Sequence, residues 1–330
     1  MLGVPPNSYP KQVGFLLIPQ FSMMALGSAM EPLRSANRMS GCDLYRWRLY
    51  SVDGEPVEAS NGIPFTPHAA ISEVARCPTV VVVAGLEAQN FNDRRAFSWL
   101  RQLARHGAQL GAISTGSYVL ARAGLLNGYR CTIHWENLSS FMEEFPDLDV
   151  TTRIFAVDRD RFTCSGGTAA LDMMLHFISA EYGPDLSNAV SEQFIHTGAG
   201  DQHTRQRMPL RQRLRVSHPK LLDVIAQMEA NLEEPLSRED LAISVGLSTR
   251  QVERLFRKYL GCTPARHYLE LRLRRARMLL AQTSMSILDV SIACGFVSAS
   301  HFSKCYREMF THTPRRERAP TPPNAMTPPA

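Results

Sequence analysis

The chain has 330 residues, of which 44% are hydrophobic and 20% are charged, and it contains seven cysteines. This length allows two domains, each large enough to bury a core. No apolar run approaches the roughly 20 residues that a membrane-spanning helix needs, and the N-terminus lacks the pattern of a secretory signal. The odd number of cysteines, with no C-x-x-C pair, argues against a disulfide framework and a zinc ribbon. We therefore expect a reduced, soluble, cytoplasmic protein without a metal site.

The net charge of +5 combines two very different halves. Residues 205–330 carry 21 Lys and Arg against 11 Asp and Glu, a net charge of +10. Residues 1–204 carry 15 against 20, a net charge of −5. Such asymmetry points to a polyanionic partner for the C-terminal part. A solvated basic surface would have the same charge, so the placement of the basic residues must decide.

The first half alternates short apolar runs with helical patterns. The runs that suit buried parallel strands are Val13–Ile18, Thr79–Ala84 and Gln109–Ile113. The helical patterns are Ala25–Met39, Asp93–His106 after a cap at Asn92, Ser117–Ala123 and Ala169–Tyr182. Alternation of this kind predicts an α/β doubly wound domain, with a parallel sheet covered by helices on both faces.

The alternation stops before residue 200, and the segments from Pro219 onward all have helical patterns. Residues 197–218 are polar and basic without clear periodicity, and we interpret them as a linker. The linker would join an N-terminal domain of residues 12–196 to an all-α C-terminal domain of residues 219–318. Residues 319–330 are rich in proline and are predicted to be a disordered tail.

The C-terminal half contains one pattern twice. Asp240-Leu-Ala-Ile-Ser-Val-Gly246 and Asp289-Val-Ser-Ile-Ala-Cys-Gly295 each have apolar positions at helical spacing and a small residue four positions before a glycine. The small residue lets two helices approach closely, and the glycine tolerates the positive φ of the turn between them. Helix starts are marked by Ser237, Ser248, Ser286, Thr263 and Thr313. The pattern predicts two helix-turn-helix units.

The second helix of each unit separates an apolar face from a polar one. In Ser248–Leu260 the apolar side chains are Val252, Leu255 and Phe256, and the polar face carries Arg250, Glu253, Arg254 and Arg257. In Ser298–Phe310 the apolar side chains are Phe302, Tyr306 and Phe310, and the polar face carries Ser300, His301, Ser303, Lys304 and Arg307. Arginine and lysine suit guanine edges and phosphates. A single helix of this kind could simply have an ordinary solvated face. Two helices with the same caps, glycines and basic residues favour DNA contact over that alternative.

Residues 219–318 resemble the DNA-binding domain of the AraC/XylS transcription regulators. The similarity is closest from Asp289 to Pro314, and Pro264–Gln282 corresponds to the long central helix that joins the two units in that family. The resemblance implies double-stranded promoter DNA as a partner, read at sites about one turn, ~34 Å, apart, and RNA polymerase as a second partner. It implies base contacts from Arg250, Glu253, Arg254, Ser300, His301 and Lys304, and phosphate contacts from Arg257 and Arg307.

Gly111-Ala-Ile-Ser114-Thr-Gly116 lies at a predicted strand-to-helix junction. A sharp turn there would expose Ser114 and direct the following backbone N–H groups at a bound oxygen, as in a nucleophile elbow. The hydrolase pattern G-x-S-x-G requires a glycine where this chain has Ala112.

Residues 12–185 resemble the class I glutamine amidotransferase-like (DJ-1/PfpI-type) domain, which precedes the DNA-binding domain in some AraC-type regulators. The resemblance implies a flavodoxin-like fold. Ser114 stands where that superfamily usually has cysteine. His134, in Thr132-Ile-His-Trp135, matches the histidine that accompanies the elbow, and Glu31 matches the acidic residue near it.

The serine at the elbow favours ligand binding over catalysis. A thiol is partly ionised near neutral pH, whereas a serine hydroxyl needs a positioned base, and the sequence identifies no carboxylate that would orient His134. We expect Glu31, Ser114, Thr115, His134 and Trp135 to line a pocket that needs no cofactor. Alternatively, His134 is a structural histidine and Trp135 a core residue, while Cys131 and Cys164 are most simply buried hydrophobic side chains.

The effector class follows from resemblance alone. Phe21–Asn37, Ser40-Gly41 and Leu44–Trp47 resemble regulators of amine and amino-acid catabolism that respond to glycine betaine, carnitine or arginine. We expect an activator whose small nitrogenous effector shifts the domain arrangement or the geometry of a homodimer. The aromatic face of Trp135 would suit a cationic effector. Two alternatives stay open: a hydrolase or amidotransferase that uses Ser114 and is fused to a DNA-binding module, and a structural nucleoid protein without sequence preference.

Overall fold

The computed structural model describes residues 10–196, 200–201, 203–206 and 210–318. The chain divides into two units, Met1–Arg207 and Met208–Ala330. The predicted tail, 319–330, lies outside the described residues, as do residues 197–199, 202 and 207–209 of the predicted linker.

The first unit is built on a seven-stranded sheet. Two short strand pairs, the antiparallel β3–β4 and the parallel β8–β9, are separate from this sheet. The strands are β1 (Lys11–Leu17), β2 (Tyr45–Ser51), β3 (Val57–Glu58), β4 (Pro64–Phe65), β5 (Ala69–Ala70), β6 (Thr79–Val83), β7 (Gln109–Ile113), β8 (Arg130–Cys131), β9 (Asp149–Val150), β10 (Phe155–Asp158) and β11 (Arg161–Cys164). The helices are α1 (Met23–Ser40), α2 (Arg94–Arg105), α3 (Ser117–Arg122), α4 (Leu138–Glu144), α5 (Ala169–Tyr182) and α6 (Pro184–Gln193).

The large sheet has the order β10-β11-β7-β6-β1-β2-β5. All neighbours pair in parallel except β10 and β11, which are antiparallel. The chain goes from β1 to β2 on one side and then to β6 on the other side of β1. This reversal of strand order marks the place where open α/β sheets bind ligands, outside the carboxyl ends of the strands.

Two hydrophobic cores cover the two faces of the sheet. In β6, Val81 and Val83 pack into the core that α1, α5 and α6 close, while Val80 and Val82 pack into the core closed by α2, α3 and α4. Because both faces are buried, these strands are continuous apolar runs rather than alternating ones. The predicted doubly wound α/β fold is confirmed.

The sequence pattern missed strands at the edges of the sheet. β2 and the β10–β11 pair were not predicted, because they carry arginine and aspartate among their apolar residues. The cap predicted at Asn92 is wrong by one residue. Asp93 is the N-cap of α2, since its carboxylate accepts the backbone N–H of Arg95 at 2.8 Å.

Parts of the predicted linker, 197–218, belong to the two units. Arg205 forms a β-bridge with Arg153, and the backbone N–H of Ile154 donates to the carbonyl of Thr204 at 2.9 Å. A short helix, α7 (Leu210–Leu214), begins the second unit, where Leu210, Leu214 and Val216 pack into an apolar core. Leu210 and Leu214 are one helical turn apart, but two apolar residues among arginines are too few to define a helical stripe.

Helices make up the described part of the second unit. They continue with α8 (Pro219–Ala230), α9 (Arg238–Ser244), α10 (Thr249–Leu260), α11 (Pro264–Gln282), α12 (Ile287–Ala293), α13 (Ala299–Phe310) and α14 (Pro314–Arg318). In neither unit do the described residues form a helix that combines the length and the hydropathy of a membrane span.

The two predicted helix-turn-helix units are α9–α10 and α12–α13. Gly246 and Gly295 have φ angles of +62° and +70° at the turns, as the repeat predicts. The caps Ser248 and Ser286 form complete capping boxes with Gln251 and Asp289. Local sequence therefore fixes the ends of these helices.

The long helix α11 packs against both helix-turn-helix units. Its Tyr268 packs into the core of α8, α9 and α10, while Leu273, Ala276 and Leu280 pack into the core of α12 and α13. Tyr268 also donates its hydroxyl to the carbonyl of Asn231 and accepts the N–H of Leu236, in the segment between α8 and α9. The central helix predicted at Pro264–Gln282 thus joins the two helix-turn-helix units.

A matched pair of glycine substitutions tests the packing of the elbow strand. A Cβ at Gly111 would overlap the Phe162 ring, whereas a Cβ at Gly27, inside α1, would have no atom within 4 Å. We expect Gly111→Ala to lower the free energy of unfolding by about 1–3 kcal/mol, because the packed strands cannot separate. We expect Gly27→Ala to raise it by about 0.5–1 kcal/mol.

The measurement is urea unfolding of the full chain followed by tryptophan fluorescence. All three tryptophans, Trp47, Trp99 and Trp135, lie in the first unit, so the signal reports that unit. Equal midpoints for the two variants would contradict this account of the packing.

Candidate functional site

Ser114 lies at the carboxyl end of β7, where the strand turns into a short 3-10 segment and then α3. Its φ angle is +61°, in the left-handed region that a residue with a side chain seldom adopts. The residue is 7% exposed. A strained residue at a strand-to-helix turn is the geometry of the predicted elbow.

Close backbone packing holds the elbow in place. A Cβ at Gly116 would lie 2.5 Å from the carbonyl oxygen of Val82, and one at Gly166 would lie 2.6 Å from the Cβ of Ser114. Thr115 donates its hydroxyl to the carbonyl of Gly85 at 2.5 Å. The carboxyl ends of β6, β7 and β11 therefore converge on the elbow, and the strain at Ser114 is held by its surroundings.

A thiol lies beside the elbow, although it comes from another strand. The thiol of Cys164, at the end of β11, lies near the backbone N–H groups of Ser114 and Gly166, which favour its ionised form. Burial raises the pKa of this thiol to about 12. A protonated thiol is a poor nucleophile, so Cys164 does not replace the cysteine that the elbow lacks. It is a buried residue, and all seven cysteines are free thiols.

His134 and Trp135 lie between β8 and α4. Burial lowers the pKa of His134, and the nearby Glu136 carboxylate opposes this shift. The Nδ1 atom of His134 is 3.8 Å from the Glu136 carboxylate, and the centre of its ring is 5.8 Å from that of Trp135. Trp135 is 38% exposed, so it is not a core residue. The neutral histidine and the accessible indole suit a binding surface.

Glu31 lies in the middle of α1 and forms an ion pair with Arg34 at 2.7 Å. No hydrogen bond or ion pair links Glu31, Ser114 and His134 to one another in the part of the chain that the structure describes. The three residues lie on separate elements, and the Ser114 hydroxyl has no described base as partner. The predicted pocket residues thus do not form a hydrogen-bonded catalytic triad.

Sequence reasoning missed a buried acidic residue on α5, the helix that follows Gly166. Asp172 lies in the first turn of α5 and is 8% exposed. One of its oxygens accepts both the N–H of Gly200 and a hydrogen bond with Nε2 of His196, each at 2.8 Å. The helix prediction Ala169–Tyr182 contained Asp172, but only the fold shows that residues 28 positions later return to it.

The second helix of the first helix-turn-helix unit, α10, presents its predicted polar face to solvent. Val252 and Phe256 are buried, while Arg250, Arg254 and Arg257 are exposed. Glu253 is half-buried and accepts a hydrogen bond from Arg257 at 2.7 Å. In this conformation the two residues neutralise each other, and Arg250 and Arg254 have no ion-pair partner in the described chain.

The second recognition helix, α13, buries Phe302 and Tyr306 and leaves Ser300, His301, Lys304 and Arg307 exposed. His301 leans back along its own helix, with Nε2 3.3 Å from the Cys305 sulfur and its ring 5.9 Å from that of Phe296. Aligning the two N-caps, Ser248 and Ser298, matches Glu253 with Ser303 and Gln251 with His301. Because Ser303 corresponds to Glu253, this alignment makes Ser303 a further candidate for a base contact. The sequence pattern predicted that Ser303 is accessible but not that it contacts bases.

An arginine of the central helix holds the second turn in place. Arg272 donates to the carbonyls of Cys294 and Gly295, at 2.7 and 2.5 Å, and its guanidinium lies 4.1 Å from the centre of the Phe296 ring. A Cβ at Gly295 would lie 2.6 Å from Pro235. The turn before α13 is therefore fixed from both sides, which orients the recognition helix.

A groove of about 760 Å³ lies on the other face of the first unit, between α2 and α3. Its lining includes Arg94, Arg101 and Arg122. Arg101 already donates a hydrogen bond to the Ala123 carbonyl, and Arg122 donates one to the Glu144 carboxylate. None of the predicted effector residues lines this groove.

Comparison with family models divides the chain in the same way. The model of the DJ-1/PfpI family matches residues 11–180, and a model described as a helix-turn-helix domain matches residues 241–319. The first match includes the elbow, and the second includes α10 and α13.

Two curated relatives match almost the whole chain. The HTH-type transcriptional regulator GbdR of Pseudomonas aeruginosa is 51% identical over 97% of this chain and 88% of its own length. The HTH-type transcriptional regulator CdhR of the same species is 46% identical over 96% of this chain and 94% of its own length. A crystal structure of an AraC family transcriptional regulator from Pseudomonas putida covers 56% of this chain and all of that chain, with 30% identity and a TM-score of 0.53.

Proposed function

The chain belongs to the AraC-type helix-turn-helix transcriptional regulators that carry a DJ-1/PfpI domain, and on this premise we propose that it is an effector-responsive activator of genes for amine or amino-acid catabolism. It regulates transcription by binding DNA through its helix-turn-helix domain. The response to a nitrogenous effector, the activation through RNA polymerase and the formation of a homodimer are parts of the proposal, as is action in the cytoplasm, where promoter DNA is found.

The paired recognition helices support the DNA-binding part most directly. α10 and α13 begin at equivalent serine caps, follow turns with positive-φ glycines and expose arginine or lysine at equivalent positions, Arg254 and Lys304. We propose base contacts from Arg250, Glu253, Arg254, Ser300, His301 and Lys304, and phosphate contacts from Arg257 and Arg307. A nucleoid protein without sequence preference would not need two matched helix faces that contact bases.

The elbow region supports the effector part. Ser114 and Thr115 lie at the carboxyl end of β7. His134 and Trp135 closely follow Thr132, whose backbone N–H donates to Thr163 of β11 and whose carbonyl accepts the hydroxyl of Ser117 in α3. Glu31 lies on the helix that follows β1. We propose that the effector is contacted by Glu31, Ser114, Thr115, His134 and Trp135. Effector binding can change DNA binding only if the effector has a different affinity for two states of the protein.

We propose that the first unit binds its effector without turnover. The absence of a described hydrogen bond between Ser114 and His134, and the raised pKa of the Cys164 thiol, support this reading. The second candidate, hydrolysis or amidotransfer by Ser114, rests on one observation: the strained φ of +61° that nucleophile elbows share.

Alanine substitutions test the reading faces. We expect Arg254→Ala and Lys304→Ala each to weaken binding by about 1–3 kcal/mol, because each removes a hydrogen-bonding cation from a base edge. The measurement is fluorescence anisotropy at constant salt, on a DNA site that the wild-type chain selects from random sequences. Arg95→Ala is the control, since it removes an exposed arginine of the first unit that pairs with Asp93. Wild-type affinity in both variants would show that the faces are assigned wrongly.

Turnover and ligand binding separate the two candidate roles of Ser114. We expect the wild-type chain to show no amide or ester hydrolysis beyond that of the Ser114→Ala variant. We expect one of glycine betaine, carnitine or arginine to raise the melting temperature of the wild-type chain, since a ligand at 100 times its dissociation constant stabilises the folded state by ~2.7 kcal/mol. Turnover that depends on Ser114 would contradict the sensor reading and favour the hydrolase.

A further inference from the structure

Asp172 is a buried carboxylate that the proposed effector residues do not include. Its side chain is 9% exposed. A carboxylate removed from water is costly unless hydrogen bonds or a cation compensate for the lost hydration. No lysine or arginine pairs with Asp172 among the residues that the structure describes.

The two oxygens of Asp172 differ in their partners. Oδ1 accepts the backbone N–H of Gly200 and a hydrogen bond with His196, each at 2.8 Å. Oδ2 has no hydrogen-bond partner in the described chain. An ionised carboxylate can accept about four hydrogen bonds, so half of this capacity, on one oxygen, is unused.

Asp172 is close to the elbow in the fold. Its helix, α5, begins three residues after Gly166, which packs against the Cβ of Ser114. The negative charge of Asp172 also contributes to the raised pKa of Cys164, which pairs across the sheet with Ile113, the residue before Ser114. The open oxygen therefore lies in the neighbourhood of the proposed effector site.

The residues that hold Oδ1 belong to the segment that leads out of the first unit. We call His196 and residues 200–201 and 203–206 the strap. At its far end, Gln206 donates to Thr132 Oγ1 and to the Ile133 carbonyl, both at 2.8 Å, next to His134. Thr132 in turn accepts the hydroxyl of Ser117, in α3, at 2.7 Å. The strap is thus attached to α5 at one end and to the segment after β8 at the other, and the chain continues from it into the second unit.

We propose that Asp172 is the residue that binds the positively charged nitrogen group of the effector, through Oδ2, while Oδ1 holds the strap. This inference rests on the proposed function. A cation at Oδ2 stabilises the buried carboxylate and with it the attachment of the strap, so one residue links effector binding to the segment that continues into the DNA-binding unit. Organic cations such as an ammonium or a guanidinium group have the required charge.

Glu31, the acidic residue that sequence resemblance selects, is a weaker candidate for this contact. Its side chain is 41% exposed, and Arg34 already pairs with it at 2.7 Å. Solvent screens such an exposed carboxylate more strongly than it screens Asp172, whose side chain is 9% exposed.

The test measures binding of arginine, glycine betaine and carnitine, each as a separate probe, to the full chain by titration calorimetry. Asp172→Asn keeps the size and the Oδ1 acceptor but removes the charge. We expect it to weaken binding of the probe that the wild type binds by at least about 10-fold, because the carboxylate charge that attracts the cation is lost. Asp43→Asn is the matched control, because this exposed carboxylate pairs with Arg46 at the amino end of β2, and it should change affinity by less than about threefold.

His196→Ala separates binding from strap attachment, because it removes a strap contact and leaves the charge of Asp172. We expect this variant to bind the probe within about threefold of wild type, while the effect of the probe on DNA affinity decreases. Urea unfolding followed by tryptophan fluorescence establishes that each variant is folded.

The outcomes distinguish this inference from the function on which it rests. Wild-type binding of a probe with unchanged affinity in Asp172→Asn, or with an equal loss in Asp43→Asn, would overturn the assignment of Asp172 alone. Equal losses in Asp172→Asn and His196→Ala would also overturn it, because Asp172 would then act only as a strap anchor. No binding of any probe to the wild-type chain would overturn both proposals.

Discussion

Both functional regions depend on backbone segments that approach closer than a side chain would allow. At the elbow, Gly166 packs against Ser114, and a Cβ there would lie 2.6 Å from the serine Cβ. At the second helix-turn-helix, a Cβ at Gly295 would lie 2.6 Å from Pro235. Because these contacts leave no room for adjustment, the strained Ser114 and the orientation of α13 are fixed by packing rather than by local preference. Each unit thereby holds its candidate functional side chains on a rigid support.

The central elements of the fold were predictable from sequence, whereas its edges were not. Gln109–Ile113 and Pro264–Gln282 were predicted with the boundaries that the structure shows. A buried strand or a capped helix has a periodicity that its own residues determine. β2 and β10 lie at or near the edges of the sheet, where arginine and aspartate interrupt the apolar run, and their pairing depends on distant neighbours.

The same distinction applies to the sites. Ser114 and the two recognition helices were predictable because a turn, a cap or a helical face is encoded within a few residues. The contacts of Asp172 were not, since its partners His196 and Gly200 lie 24 and 28 positions away in the sequence and meet it only through tertiary structure. His301 shows an intermediate case, because its helix was predicted but its contact with Phe296 comes from the preceding turn. The effector class rests on resemblance alone and stays a prediction, because no residue in the sequence distinguishes a quaternary ammonium from a guanidinium group.

The central claim is that one chain places two recognition helices in successive major grooves. Methylation-interference footprinting on a DNA site selected by the wild-type chain tests it most directly. The account predicts, for each bound chain, two groups of guanine contacts in major grooves about one helical turn, ~34 Å, apart. Contacts confined to a single major groove for each chain, or binding without any sequence-dependent interference, would contradict it.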